Sequence, residues 1–260
     1  MQRFDDRPIT EASEVEAFLD RAPFVVDRVE FARFVLGFPH QYLKQTAPAE
    51  VLKHFTLVQS LGRREVISTL SREAERWKLV VVTHDRRFLF SRIAGSLSLF
   101  GANILDAEAI GNTGDLVLDV FRVAGHGHRF AQVPERRRFL KFLEEVVTGA
   151  RDLDAAIAEA EGAAPPLPAE LRLEWDERDA SQRSRLRVRG RDSPGILYRI
   201  TRGLSAAGCD IELARIETPE GEVRDEFQLS FEGGPVPPEQ RAGVEAAVTS
   251  SLAPRRVGPG

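Results

Sequence analysis

Apolar positions follow one rule in the first quarter of the chain and another after it. Up to about residue 62 they recur at the helical period. Val15, Ala17, Phe18 and Leu19 form a short amphipathic run, with Thr10 and Ser13 as candidate caps. A second run, Phe24 to Leu36, carries Val29, Phe31, Phe34 and Val35; Gly37 stops it and Pro39 prevents its continuation. A third starts at Thr46 or Pro48, passes through Val51, Leu52, Phe55 and Leu61, and ends at Gly62. A segment this short supports little core of its own, so it is expected to dock on the rest of the chain.

Beyond residue 64 the pattern turns to strands. Glu65 to Leu70 leans to β, Ser71 to Arg76 turns the chain, and Lys78 to Thr83 contains Leu79-Val80-Val81-Val82. Phe88, Leu89, Ile93, Leu97 and Phe100 then fall at helical spacing up to a capping Gly101. Asn103 to Ile110 and Leu116 to Val123 read as strands around the turn Asn112-Thr113-Gly114-Asp115, and a helix follows from about Pro134 to Val147. The order then recurs. Leu171 to Trp175 and Arg185 to Arg189 are strands, Pro194 opens a helix that Gly208 closes, and Asp210 to Glu217 and Val223 to Phe231 are strands. Pro237-Pro238-Glu239 opens a last helix.

The recurrence is also visible residue by residue. Asp85 to Ala107 aligns without a gap on Asp192 to Ala214, with identities at Asp85/Asp192, Arg92/Arg199, Ile93/Ile200, Leu97/Leu204, Ser98/Ser205, Gly101/Gly208, Ile104/Ile211 and Ala107/Ala214. Two copies of this length predict a tandem pair of small domains and not a solenoid. Each reads β-β-α-β-β-α. The leading strand can fill the edge slot that the last strand of a βαββαβ sandwich occupies. The predicted fold is α+β: two ferredoxin-like sandwiches preceded by an N-terminal helical segment. The predicted boundaries are residues 1–62 for the helical segment, 64–149 for the first module, 150–168 for a linker stiffened by Ala163-Ala164-Pro165-Pro166-Leu167-Pro168, 169–253 for the second module and 254–260 for a tail.

Composition narrows the classes. With 260 residues, 42% hydrophobic and 29% charged, the chain is ordinary globular material. A net charge of −4 argues against nucleic acid as partner. The lone Cys209 excludes an internal disulfide and suits a reducing compartment. No run approaches a membrane span and the N-terminus lacks a signal region, so the expected place is the cytoplasm, without membrane contact.

Asp192-Ser193-Pro194-Gly195-Ile196-Leu197, followed by Leu204-Ser205-Ala206-Ala207-Gly208-Cys209-Asp210-Ile211, resembles the ACT domain. The first copy carries Asp85, Leu89-Phe90 and Gly101-Ala102-Asn103-Ile104. The leading hairpin strand, Leu118-Asp119-Val120-Phe121, and Phe38-Pro39-His40-Gln41-Tyr42-Leu43 with Ala49 to His54 are similar to the C-terminal tandem ACT region of bifunctional PII uridylyltransferase/uridylyl-removing enzymes. The resemblance covers about residues 34 to 253. It implies ACT-type sandwiches, a regulatory role in nitrogen or amino-acid metabolism, and an amino acid, glutamine first, as ligand. The Gly-Ser pair with spaced carboxylates of the nucleotidyltransferase is not found, nor are the paired His and Asp ligands of the hydrolase.

The residues themselves point to one pocket. At Asp192, Ser193, Pro194, Gly195 and Ile196 a strand ends and a helix starts, so backbone N–H groups and the helix dipole favour a carboxylate, and Gly195 leaves room. The bland alternative is that Asp192 caps the helix and Pro194 begins it. In the first copy Arg87 and Phe88 replace Pro-Gly, so Asp85 is the weaker candidate. Asp210, and more weakly Asn103, follow helix-ending glycines and can add polar contacts; turn chemistry explains either alone. Asp119 and Asp225 fall on apolar strand faces and are expected to be structural carboxylates, hydrogen-bonded or paired. His126-Gly127-His128 lacks the spacing of a metal site, Cys209 reads as a small packed residue, and Arg136-Arg137-Arg138 as solvated charge.

No catalytic residue, metal or cofactor is expected. The resulting expectation is a non-catalytic amino-acid sensor, with a homodimer through the modules as a further partner. Two alternatives stand beside it: a truncated or degenerate uridylyltransferase relative, and an interaction module that binds nothing small. One packing expectation also follows. Leu79 to Val82 and Leu116 to Leu118 are apolar on both faces, so Phe24 to Leu36 and Val51 to Leu61 are expected to pack on the outer face of the first sheet or close over its edge, with a partner subunit as the alternative cover, whereas the outer face of the second meets water.

Overall fold

The computed structural model describes residues 7–20, 26–125, 129–161, 171–176 and 183–253. The Pro-rich stretch Ala163–Pro168, the tail 254–260 and the pair His126 and His128 lie outside them. The fold is α+β. Four helices come first: α1 (Ala12–Leu19), α2 (Arg28–Val35), α3 (His40–Gln45) and α4 (Pro48–Leu61). The order then runs β1 (Val66–Glu73), β2 (Arg76–His84), α5 (Leu89–Leu99), β3 (Ala102–Gly111), β4 (Leu116–Gly125), α6 (Val133–Val147) and α7 (Leu153–Glu161). It closes with β5 (Arg172–Asp176), β6 (Ser184–Arg191), α8 (Ile196–Ala206), β7 (Cys209–Glu217), β8 (Glu222–Phe231) and α9 (Pro238–Leu252).

The strands form one sheet in the order β1-β2-β4-β3-β7-β8-β6-β5. Each leading strand stands at an outer edge beside the strand that follows it, as the repeat predicts. The β1–β2 link is only Ala74-Glu75, shorter than the expected turn from Ser71 to Arg76, and a two-residue link requires an antiparallel pair. Ala74 takes φ +51 there, the positive φ that tight hairpins demand. β5 pairs antiparallel with β6, Leu173 against Val188 and Trp175 against Leu186. β6 pairs antiparallel with β8, and β8 with β7. In the turn before β4, Asn112 Oδ1 accepts the N–H groups of Gly114 and Leu116, each at 2.9 Å.

The chain divides into two compact units that do not follow the repeat boundary. One comprises Met1–Ser68, Val81–Asp85 and Ile110–Asp119; the other comprises Thr69–Val80, Arg86–Ala109 and Val120–Gly260. The first unit holds the helical segment, which gathers a small aromatic core. Phe31 stacks on Phe18 at 5.8 Å and meets Phe55 edge-on at 5.3 Å, and Phe34 meets Phe38 and Phe55. Such ring pairs stabilise beyond their buried area, by about 0.5–1.5 kcal/mol each. α1 is preceded by Glu11 with no side-chain cap, so neither Thr10 nor Ser13 caps it. α2 starts only at Arg28, capped by Asp27 accepting from Glu30 N–H at 2.9 Å; Phe24 and Val25 lie outside the described residues. The segment joins the ends of β2, β3 and β4 within this unit, where Gly37 C=O accepts from Thr113 N–H at 3.2 Å. Val82 and Leu118, on the outer sheet face, are fully buried there, and Val80 is buried in the other unit.

In the second unit the helix-facing side of the sheet is apolar: Leu186, Val188, Phe227 and Leu229 are completely buried. The opposite side of that half does not simply meet water. Arg187 bridges Asp176 at 2.9 Å and Glu226 at 3.0 Å, and Arg185 reaches Glu226 at 3.4 Å, so cross-strand ion pairs half-bury these side chains. Arg136 is likewise not merely solvated: it donates to Phe130 C=O at 2.6 Å and lies over the Trp77 ring. The stretch expected as linker contains α7, held to α8 by Asp154, which accepts from Tyr198 Oη and from Arg202 at 2.9 Å.

Candidate functional site

A cavity of about 190 Å³ lies within the second unit, where the β6–α8 loop faces the end of α5 and the start of β3. The loop supplies Asp192, Ser193, Pro194 and Gly195, and α8 supplies Ile196, Leu197 and Tyr198. Across from them stand Ser98, Asn103 and Ile104, and the floor comes from Ile216, Val223 and Asp225. The repeat thus places the loop of its second copy against the helix end of its first. Six of the expected site residues meet here: Asp192, Ser193, Pro194, Gly195, Ile196 and Asn103. Asp210 and Asp85 do not line this cavity. For Asp210 the reason is geometric, since it follows the far end of α8 while the cavity is at the near end.

Local geometry opens this corner. Gly195 is the residue before α8 and sits in the left-handed region at φ +80 with no side chain capping the helix. The helix therefore begins at Ile196 and not at Pro194, and Asp192 does not cap it. Ile196 N–H donates to Ser193 C=O at 3.1 Å, and the absence of a side-chain cap leaves the rest of the first turn and the positive end of the dipole toward the cavity. A Cβ on Gly195 would stand 3.1 Å from Ser98 Oγ. In the first copy Phe88 holds the equivalent position, also left-handed at φ +65, which is unfavourable for a bulky residue. There Arg87 donates to Ser205 C=O at 3.3 Å, and its guanidinium lies 5.2 Å from the centre of the Phe88 ring.

The electrostatics are one-sided. The lining holds two carboxyl groups, Asp192 and Asp225, and no Lys, Arg or His. Burial pushes Asp192 above the usual carboxylate range against the opposing effect of Ser193 N–H. Asp225 is 3% exposed, and burial pushes it well up; Glu217 N–H opposes this, while Asp192 and Glu217 add to it. Its Oδ1 has no hydrogen-bond partner, and neither has Ser193 Oγ. Asp119, its counterpart in the first copy, has both oxygens buried without a partner and is pushed well up by burial and by Asp85. The expected hydrogen bonding is met at Asp225 by Glu217 N–H and is absent at Asp119, where a buried carboxyl avoids the cost of charge by keeping its proton. Cys209 is packed, as expected, and burial raises its thiol to about 11.

Among the described residues no group of three or more His, Cys, Asp or Glu is placed to hold a metal ion, and no helix is long and apolar enough to cross a membrane. No family model matches the chain. Individual relatives do. The bifunctional uridylyltransferase/uridylyl-removing enzyme of Rhodospirillum rubrum is 31% identical over 195 residues, 70% of this chain and 21% of the relative. That of Azospirillum brasilense is 30% identical over 215 residues, 78% and 23%. That of Streptomyces coelicolor is 28% identical over 192 residues, 67% and 22%. The chain is homologous to one part of these enzymes. It spans about a fifth of their length, which fits a resemblance to their C-terminal region.

Proposed function

We propose that the chain is a non-catalytic regulatory protein of nitrogen or amino-acid metabolism, built on two ferredoxin-like, ACT-type modules, and that it binds one small amino acid in the cavity at the start of α8. The observation that carries this reading is the charge of the lining: two carboxyl groups and no cationic side chain, set against an uncapped helix N-terminus. A zwitterion satisfies both sides. Its carboxylate faces the positive end of the α8 dipole and the first-turn N–H groups beyond Ile196, and its ammonium takes the carboxyl oxygens. A second carboxylate would find no countercharge, which favours a neutral side chain, with glutamine as the first ligand to try. Binding that differs between two arrangements of the modules would turn occupancy into regulation.

The test is a thermal-shift screen of the twenty amino acids. A ligand at one hundred times its Kd stabilises by about 2.7 kcal/mol, several degrees for a chain of this size. Gly195→Phe, which puts the first copy's residue into the second copy's corner, should abolish the shift and leave the fold intact. A shift that survives it places the ligand elsewhere. The names of the relatives support a second reading, a relative of the uridylyltransferases with that activity, and a uridylylation assay with PII as acceptor tests that directly.

A further inference from the structure

We propose that Asp225 is the residue that receives the ligand's cationic nitrogen, and that its carboxyl gives up a proton to do so. The inference rests on the amino-acid reading of the cavity and assigns the polar partner on its floor. Asp225 projects from β8 among Val223 and Phe227, where sequence pattern alone suggests a structural group. The structure instead shows Oδ1 buried, without a partner, in a residue that lines the cavity. A buried polar oxygen left unpaired costs about 1–3 kcal/mol. A partner that arrives with the ligand removes that cost in the bound state alone.

The groups around Asp225 decide its protonation. From the β6–α8 loop Asp192 faces it, and Glu217 at the end of β7 adds a second negative charge as well as one N–H bond. Its neighbour across β6 is Val188, and α8 contributes Ile196 and Leu197 to the same cavity. The arginines of β6 and α8 are not among the charges that act on it, which are those of Asp192 and Glu217. The carboxyl is therefore held protonated while the cavity contains no cation, consistent with its raised pKa. An ammonium within hydrogen-bond distance reverses the balance. The Asp225 proton passes to the buffer, and the carboxylate and ammonium form an ion pair. Affinity should then rise with pH, by up to tenfold per unit, while Asp225 starts protonated.

The experiment is isothermal titration calorimetry of the full chain near pH 6 in two buffers of different ionisation enthalpy, phosphate and Bis-Tris. The probe is L-glutamine, or whichever of the twenty amino acids shifts the melting temperature most. The wild type should release about one proton per ligand bound. Asp225→Asn should bind at least tenfold more weakly and release none, whereas Asp192→Asn, also weakened in binding, should still release a proton with each ligand bound. The Asp192 variant and the wild-type buffer comparison decide the matter even if Asp225→Asn does not fold. Binding that is lost in Gly195→Phe but unchanged in Asp225→Asn, or binding without proton release, overturns the role of Asp225 and leaves the cavity as the site. If no amino acid binds the wild type, the cavity reading itself fails and this inference with it.

Discussion

Asp119→Leu should make the protein more stable, and increasingly so as the pH rises. Asp119 is 1% exposed, sits on β4 between Leu118 and Val120, and has no hydrogen-bond partner on either carboxyl oxygen. Leucine has nearly the same shape and carries no polar atoms to bury. Removing an unsatisfied buried polar group is worth about 1–3 kcal/mol even when the carboxyl is neutral. The pH dependence has a definite sign. Burial, with help from Asp85, raises the folded-state pKa of Asp119 above its unfolded value. Stability from this group is therefore fully present below the unfolded pKa and is lost as pH rises through the folded one. Between the two, the wild type loses about 1.4 kcal/mol per pH unit from this group, and the leucine variant does not. Differential scanning calorimetry at pH 5 and pH 8 is the assay. At about 2–4 °C per kcal/mol, the variant should melt roughly 2–12 °C above wild type at pH 5, with a larger gap at pH 8. A variant that melts below wild type at pH 8, or a gap that closes with rising pH, refutes the reasoning.

Two further substitutions test the packing. Gly203→Ala should destabilise by about 1–3 kcal/mol in urea denaturation, although alanine normally favours a helix, because its Cβ would lie 2.6 Å from the Val248 backbone of α9; a neutral or stabilising result would mean that α8 and α9 are not this close. Phe31→Ala should cost about 3–5 kcal/mol, since the ring is fully buried among Phe18, Phe34 and Phe55; a loss below 1 kcal/mol would deny the helical segment its core.

Much of this architecture is legible because the relevant signals are local. Leu186 and Val188 alternating with arginines fix which face of β6 is inside, and Gly101 and Gly208 mark where α5 and α8 stop. The repeat makes the edge position of β1 and β5 readable, since both copies carry the extra strand first. Other features have no local signal. α3 is six residues long and buries only Tyr42, too little for a period to show. α7 stands beside a Pro-rich stretch, which hides the i, i+4 pair Leu153 and Ile157 that it buries. The adjacency of β3 and β7 joins residues more than one hundred positions apart and leaves no mark in either strand. The same holds for Asp225: its sequence setting matches that of Asp119, and only the three-dimensional arrangement separates a carboxyl on a cavity wall from one closed in a core.

The exchange of Phe88 for Gly195 sets a limit on how one chain can respond. Duplication supplied two corners of the same design, and two equal corners could influence each other's filling. On the proposed reading, in which the cavity beside Gly195 takes an amino acid and the corner of Arg87 and Phe88 takes none, occupancy follows a single saturation curve. Moving that curve from one-tenth to nine-tenths full takes roughly an eighty-fold change in ligand concentration. On that reading one chain reports a level gradually and does not act as a threshold. A sharper response would have to be assembled from several chains, so steepness here would depend on the number of chains and not on the shape of one.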